Sequence, residues 1–310
     1  MNESESSGTT VREGLLPFRE WQTWYSVVES APGDRVPLLT LHGGPGIPHD
    51  YLDPLAELAH GGRSVVFYDQ LGCGDSTHIH DPSLWTVDLF VEQVDAAREG
   101  LGLERVHVLG QSWGGMLAQE YALRRPPGLV SLVLADTAPS MAQWVAETSR
   151  LRAELPDDVQ RTLAEHEAAG TTDSLEYGAA MMAFYARHIC RLDPWPECAQ
   201  RAFARLDEDP EVYHTMWGPN EFTCTGTLKT WDVRGSLGHI DVPTLVLCGR
   251  YDEATPAIAE TLRAGIAGAE LHVFEQSSHL PHLEEPEAYL AAVEEFLARV
   301  ERGRAEQLRR

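Results

Sequence analysis

The chain has 310 residues, of which 43% are hydrophobic, enough for one large core with an inserted subdomain. Its formal net charge of −24 excludes attraction to nucleic acid or to an anionic membrane surface, and we expect the excess acid to form a solvated surface. No apolar run reaches the ~20 residues that cross a bilayer, and the polar residues 1–10 lack the features of a signal peptide. We therefore expect a cytoplasmic protein with no membrane partner and a disordered tail over residues 1–10.

Apolar runs alternate with amphipathic segments in the first part of the chain. Strands are predicted at residues 20–30, 36–41, 64–68, 105–109 and 129–134. Helices are predicted at residues 50–60 and 87–101 and after Ser112. This alternation predicts a mostly parallel central sheet with helices on both faces.

The alternation stops near residue 139 and gives way to helical patterns without a clear buried strand. It resumes with a strand at 242–248, followed by a helix at 256–265, a strand at 271–274 and a helix from 286 to about 301. We predict an α/β core formed by 11–138 and 239–305, with an inserted helical cap at 139–238, here called the cap segment. Ligands of such sheets bind at the carboxyl ends of the strands, where the cap segment would cover them.

The five cysteines follow no regular spacing; they are Cys73, Cys190, Cys198, Cys224 and Cys248. Their number and spacing predict reduced thiols rather than a zinc site or a disulfide framework. No motif in the chain implies a metal or an organic cofactor.

The pentad Gly110-Gln-Ser-Trp-Gly114 follows a predicted strand and precedes a predicted helix. Glycines at both ends allow the tight turn in which a serine hydroxyl stands out from the edge of a sheet. The start of the following helix offers free N–H groups to a developing negative charge. This context favours Ser112 as a nucleophile over a plain strand–turn–helix connection.

A serine nucleophile needs a base, and the base needs an orienting acid. Asp252 and His279 follow two later strands, in the chain order Ser, Asp, His of this type of triad. All three should emerge at one edge of the sheet. His282 competes with His279 as the base, and Asp136, at the end of another strand, competes with Asp252 as the acid.

An oxyanion hole needs two backbone donors. We expect the N–H of Trp113 to be one, because it follows the nucleophile. The second is expected from the loop His42-Gly-Gly-Pro-Gly46, where the absence of a side chain at Gly44 lets the backbone approach a substrate oxygen. A simple turn of glycine and proline is the alternative interpretation of this loop.

Together these segments resemble the proline iminopeptidase family of α/β-hydrolases. The resemblance covers about residues 18 to 300 and includes Asp69-Gln-Leu-Gly-Cys-Gly-Asp-Ser76, Gly249-Arg-Tyr-Asp-Glu253 and Ser277-Ser-His279. The loop Gly43-Gly-Pro-Gly46 and the segment Gly218-Pro-Asn-Glu-Phe222 are its most specific parts. The resemblance implies an α/β-hydrolase fold with a helical cap.

The resemblance also implies that Glu221 and Glu253 bind the free α-amino group of the substrate. That group has a pKa near ~8 and is mostly cationic at neutral pH, so a carboxylate pair would bind it and reject an acylated terminus. Activity should fall on the acid side when a glutamate or His279 is protonated. Candidate pocket residues are Tyr213, which matches a family active-site tyrosine, together with Trp217, Phe184 and Tyr185.

The predicted function is a serine aminopeptidase that releases an N-terminal residue with a free amino group. An amidase that acts on an amino-acid amide, or that removes an aminoacyl group from a small-molecule intermediate, fits the same motifs. A simple esterase would accept substrates without an amine, and a binding protein without activity is the remaining alternative. The expected partner is a small peptide or aminoacyl amide; the sequence does not determine the oligomeric state.

Overall fold

The computed structural model describes residues 4–6, 9–30, 33 and 35–308. Nine strands form one sheet in the order β1-β2-β3-β5-β4-β6-β7-β8-β9. They are β1 (Ser4–Ser6), β2 (Thr9–Phe18), β3 (Trp21–Glu29), β4 (Leu38–Leu41), β5 (Val65–Tyr68), β6 (Val106–Gln111), β7 (Leu129–Ala135), β8 (Thr244–Gly249) and β9 (Glu270–Phe274). The six strands from β5 to β9 in this order are parallel, whereas β1, β2, β3 and β5 pair antiparallel. The predicted α/β-hydrolase sheet is confirmed.

Over the described ranges, ten α-helices connect or cover these strands. They are α1 (Val87–Gly100), α2 (Trp113–Leu123), α3 (Met141–Arg152), α4 (Asp157–Ala169), α5 (Leu175–His188), α6 (Glu197–Glu208), α7 (Glu211–Met216), α8 (Pro256–Gly265), α9 (Pro281–Glu284) and α10 (Pro286–Leu308). The segments His49–Gly61, Pro82–Leu84, Thr227–Thr230 and Arg234–His239 are 3₁₀ helices. Within the described residues, no helix is both long and apolar enough to span a bilayer.

The central strands are short and almost entirely apolar. Every residue of β4, β5, β6, β7 and β8 is buried. Continuous apolar runs of this kind suit parallel strands that are covered on both faces, since neither side-chain direction meets water. The loops at the carboxyl ends of β4, β6, β8 and β9 therefore start from a rigid edge.

The amino-terminal part of the chain departs from the expectation of a disordered tail over residues 1–10. Ser4–Ser6 form β1, and Thr9 and Thr10 begin β2, which pairs with β3 along its whole length. Residues 1–3 and 7–8 lie outside the described residues. Strand β2 was not predicted, because Gly14 and Pro17 interrupt its sequence.

The cap segment lies between β7 and β8 and contains α3 to α7. It has a small hydrophobic cluster of its own, which includes Leu163, Phe184 and Phe222. Charged contacts join it to the core: Arg201 Nε lies 2.5 Å from Asp50, and Arg205 Nη2 lies 2.8 Å from Asp75. The contact between core and cap therefore depends in part on exposed ion pairs.

Candidate active site

Ser112 lies in a tight turn between β6 and α2. Its backbone has φ 56° and ψ −122°, a conformation that residues with a side chain rarely adopt. A Cβ on Gly110 would lie 2.1 Å from the carbonyl oxygen of Gly114, and a Cβ on Gly114 would lie 2.0 Å from that of Leu41. Both positions are therefore restricted to glycine, and the strained turn places Ser112 at the start of α2.

The loops after β8 and β9 bring Asp252 and His279 together. His279 Nδ1 lies 2.7 Å from Asp252 Oδ1, and the N–H of Ala254 donates to the same oxygen at 2.8 Å. Both side chains are buried. This contact fixes the ring of His279 and leaves its Nε2 for another partner.

A small cavity lies at Ser112 and His279. Core and cap residues form its wall: Gly44, Ile47, Tyr51, Gln111, Ser112, Ile189, Phe203, Glu221, His279 and Leu280. Isoleucine, leucine and phenylalanine side chains thus surround a few polar groups, which is the usual composition of a ligand pocket.

The two N–H groups predicted for the oxyanion hole belong to Gly44 and Trp113. Gly44 lines the cavity with φ 104°, which favours glycine, and Trp113 is the first residue of α2. In the part of the chain that the structure describes, neither N–H donates to a turn or loop carbonyl. The neighbouring N–H of Gly43 is occupied, because it donates to the hydroxyl of Tyr51 at 2.7 Å.

Glu221 of the cap segment and Glu253 of the core form a pair of buried carboxyl groups that influence each other's pKa. Burial raises the pKa of both carboxyls, and the negative charges of Glu221 and Asp252 raise the pKa of Glu253 further. Both carboxyls therefore bind protons more readily than ordinary glutamates do. With one proton shared between them, the pair would carry a single negative charge.

The contacts of this pair include no strong cation. Tyr213 donates its hydroxyl to Glu221 Oε1 at 2.7 Å, and His279 Nε2 lies 3.8 Å from Glu253 Oε1. Over residues 4–6, 9–30, 33 and 35–308, neither carboxyl forms an ion pair with arginine or lysine. A cationic group entering the cavity would therefore meet an uncompensated negative charge.

The four aromatic residues predicted for the pocket lie around Glu221, not in the wall of the cavity. Tyr213 contacts the Glu221 carboxylate, and the Tyr185 hydroxyl contacts the Glu221 backbone. Trp217 packs on Trp144, and Phe184 packs on Phe222 with ring centroids 5.3 Å apart. The cavity wall instead contains Tyr51 and Phe203 of α6, neither of which the sequence singled out.

Tyr51 and Gln111 were missed by the sequence analysis and connect three loops of the site. The Tyr51 hydroxyl, which accepts from Gly43, donates to Gln111 Oε1 at 2.6 Å. Gln111 Nε2 in turn donates to the carbonyl oxygen of His279 at 3.0 Å. The place of Gln111 directly before Ser112 was a usable signal, whereas Tyr51 offered only its closeness to the glycine-rich loop.

Trp144 of α3 is another residue that the sequence did not single out. Its Nε1 donates to the backbone carbonyl of Glu221 at 3.0 Å. Its ring stands edge-on to His279, with centroids 5.8 Å apart, and edge-on to Trp217 at 5.1 Å. Trp144 therefore holds the segment of Glu221 next to the histidine.

His282 and Asp136, the alternatives for the base and the acid, occupy other positions. His282 Nε2 donates to the carbonyl of Tyr51 at 3.0 Å, and burial lowers the pKa of His282 to about 3, so its ring is neutral. Asp136 contacts the carboxyl of Asp252. Neither residue lines the cavity.

Other chemistry-bearing side chains are dispersed. All five cysteines are free thiols. Among the described residues, no three histidine, cysteine, aspartate or glutamate side chains come together in a group that could hold a metal ion.

The fold and the serine turn define an α/β hydrolase. A family model described as the alpha/beta hydrolase fold matches residues 36–286. The chain is 39% identical to the proline iminopeptidase of Clostridium botulinum over 93% of this chain and 98% of that protein. It is 41% identical to the one from Saccharolobus solfataricus over 86% of each chain. The chain belongs to the proline iminopeptidase family of α/β hydrolases.

Two solved structures agree with this assignment. The crystal structure of VinJ matches with a TM-score of 0.91 and 47% identity, covering 93% of this chain and 99% of that chain. The crystal structure of the proline iminopeptidase of Mycobacterium smegmatis matches with a TM-score of 0.87 and 43% identity, covering 93% and 98%. The resemblance predicted from the sequence is confirmed.

Proposed function

We propose that this hydrolase is a serine aminopeptidase that cleaves the amide bond after an N-terminal residue with a free amino group. Ser112 is the proposed nucleophile, His279 the base and Asp252 the residue that orients His279. The proposal covers a small peptide as substrate, and the free state of all five thiols is compatible with a reducing cytoplasm.

In the proposed reaction, His279 Nε2 takes the proton of the Ser112 hydroxyl as its oxygen attacks the substrate carbonyl. The N–H groups of Gly44 and Trp113 stabilise the oxyanion that forms. His279 then gives the proton to the departing amine, which leaves an acyl-enzyme on Ser112. Water, activated by the same histidine, hydrolyses that ester and regenerates the serine.

The carboxyl pair of Glu221 and Glu253 is the observation that carries the substrate assignment. A single ammonium group would neutralise the single negative charge of the pair, and charge-assisted hydrogen bonds would replace the partners that the Glu253 oxygens lack. An acylated amine offers no charge and would leave the pair buried and uncompensated. An esterase without amine selectivity would have no use for such a pair.

Removal of an aminoacyl group from a small-molecule amide is the second candidate, because it needs the same amine site. The two candidates differ only in the leaving group, which would face the cap residues Ile189 and Phe203 in the cavity wall. The leaving group is therefore the variable that separates them.

The test compares the p-nitroanilides of proline, alanine and N-acetylalanine with p-nitrophenyl acetate, using wild type and Ser112→Ala. We expect turnover of the free-amine anilides, no cleavage of the acetylated anilide, and no turnover by Ser112→Ala. Prolyl and alanyl dipeptides, compared with alaninamide, then distinguish peptide from small-amide substrates. Equal cleavage of acetylated and free anilides would contradict the amine site, and full turnover by Ser112→Ala would contradict the mechanism.

A further inference from the structure

Asp136 is a buried acid directly after β7 that the proposed reaction does not use. Its backbone has φ 52°, and its N–H donates to the carbonyl of Leu247 in β8 at 2.8 Å. Its side chain has no exposed surface. The next residue, Thr137, donates its hydroxyl to the carbonyl of Ser112 at 2.7 Å. The end of β7 is therefore hydrogen-bonded to the turn that contains Ser112.

Three carboxyl oxygens of this region have no conventional hydrogen-bond donor within the described ranges: both oxygens of Asp136 and Oδ2 of Asp252. The backbone N–H of Gly249 lowers the pKa of Asp136, but this effect is smaller than those of burial and of Asp252. Asp252 Oδ1 is already engaged by His279 and by the N–H of Ala254. Asp136 follows β7 and Asp252 follows the neighbouring strand β8, which places the two carboxyls next to each other. A proton between them would satisfy Oδ2 of Asp252 and one oxygen of Asp136 at once.

The surroundings oppose a second negative charge at this place. The ionisable groups that face Asp136 are the carboxyls of Asp252 and Glu284, the hydroxyls of Tyr51 and Tyr289, and the thiol of Cys248. None of these is a cation. Burial, followed by the charge of Asp252, raises the pKa of the Asp136 carboxyl well above its ordinary value.

We propose that Asp136 is a positioning residue that holds a proton and donates it in a hydrogen bond to Oδ2 of Asp252. The inference rests on the proposed triad, because its effect reaches the reaction through Asp252. Asp252 would then be held at both oxygens, one on His279 and one on Asp136. A single negative charge, shared by two carboxyls, would stand behind His279.

Two substitutions of Asp136 distinguish the loss of a hydrogen-bond donor from a change in side-chain volume. Asp136→Asn keeps an N–H donor of similar size, whereas Asp136→Ala leaves Oδ2 of Asp252 buried without a partner. We expect kcat for alanine p-nitroanilide to fall about 10- to 100-fold in Asp136→Ala and to stay within about threefold of wild type in Asp136→Asn, with KM little changed in both. Equal losses in the two variants, or none in either, would overturn the proposal.

The pH profile distinguishes a protonated from an ionised Asp136. Loss of its proton at high pH would place two negative charges together and disturb Asp252, so we expect a basic limb in wild type that Asp136→Asn lacks. The midpoint of the acidic limb of kcat/KM should be the same in both. An ionised Asp136 would instead help to hold a proton on His279, and its removal would move that midpoint to lower pH; this result would refute the proposal.

A measurement without substrate tests the proton on Asp136 independently of the proposed function. The infrared difference spectrum of wild type minus Asp136→Asn at neutral pH should contain the C=O stretch of a neutral carboxylic acid that shifts in D₂O. Glu253→Gln is the matched control, because it removes the other shared proton and should leave the Asp136 band in place. Absence of the band would refute the proton on Asp136, whatever the activity of the enzyme is.

Discussion

The site contains two pairs of buried carboxyl groups, one at each ring nitrogen of His279, and they are built differently. Asp252 and Asp136 both follow core strands, and Asp252 faces Nδ1 at 2.7 Å. Glu253 lies 3.8 Å from Nε2, and its partner Glu221 comes from the cap segment. The first pair follows neighbouring strands of one sheet, whereas the second forms only where the cap segment contacts the core.

This difference predicts separate roles for the core side and the cap side of the site. Adjacent parallel strands fix the relative positions of their carboxyl ends, which suits groups that take part in the reaction. Ion pairs between cap and core, such as the Arg205–Asp75 pair, are weak and respond to salt. Substitutions on the core side should therefore reduce kcat, and substitutions on the cap side should mainly raise KM.

The largest effect is expected from Asp252→Asn. The amide would present the wrong group to His279 and favour the wrong tautomer, so kcat should fall about 10³- to 10⁴-fold with the fold intact. Steady-state kinetics with alanine p-nitroanilide measure this loss. Asp241→Asn is the matched control at an exposed aspartate, and a comparable loss there would show that the assay reports something other than the triad.

Glu221→Gln should have the next largest effect and should separate binding from chemistry. Loss of the negative charge should raise KM for a free-amine anilide about 10- to 100-fold and leave kcat within a few-fold. Turnover of p-nitrophenyl acetate, which carries no amine, should be nearly unchanged. An equal loss for both substrates would place Glu221 in the general structure of the site. Glu208→Gln, at an exposed glutamate of α6, is the control.

The same pair predicts a pH dependence of KM. The pKa of each glutamate is raised, so the pair takes up its second proton at a higher pH than ordinary glutamates would. As pH falls through that raised pKa, the pair becomes neutral and KM for a free-amine substrate should rise about tenfold per pH unit. A KM that is independent of pH would contradict the shared proton.

A smaller, core-side effect is expected from Tyr51→Phe. The change removes one hydroxyl and leaves the N–H of Gly43 and Oε1 of Gln111 without their partner. We expect kcat to fall about tenfold with KM nearly constant, because the glycine-rich loop at Gly43 and the turn at Ser112 lose the hydrogen bonds that join them. Tyr68→Phe is a close control, since the buried hydroxyl of Tyr68 has no hydrogen-bond partner among the described residues.

The smallest effect is expected from the ion pairs between the cap segment and the core. Arg205→Ala removes a partly buried ion pair with Asp50, which Arg201 also contacts, and a more exposed one with Asp75, so KM should rise about two- to threefold. Salt should raise KM in wild type by a similar factor and have less effect in the variant. Arg263→Ala, which breaks an exposed pair with Glu260 within α8, serves as the control.

The sequence predicted the core side of the site better than the cap side. Ser112, Asp252 and His279 each follow a buried apolar run, and parallel strands bring such positions to one edge without further information. The place of Glu221 depended on resemblance, because no periodic pattern fixes how a cap helix sits on a sheet. The roles of Trp144 and Tyr51 arise from tertiary contacts alone, as Trp144 donates to a carbonyl 77 residues away.

The division of the proposed amine site between core and cap has a thermodynamic consequence. The backbone N–H of Glu253 donates to the carbonyl of His188 in α5 at 3.3 Å, so the cap also braces the core half of the pair. Any ammonium compound that bridges both glutamates would favour the seated arrangement, and by reciprocity a firmly seated cap would bind it more tightly. A released amino acid carries the same ammonium group as the substrate, so product inhibition and a ligand-dependent melting temperature follow from the proposed function.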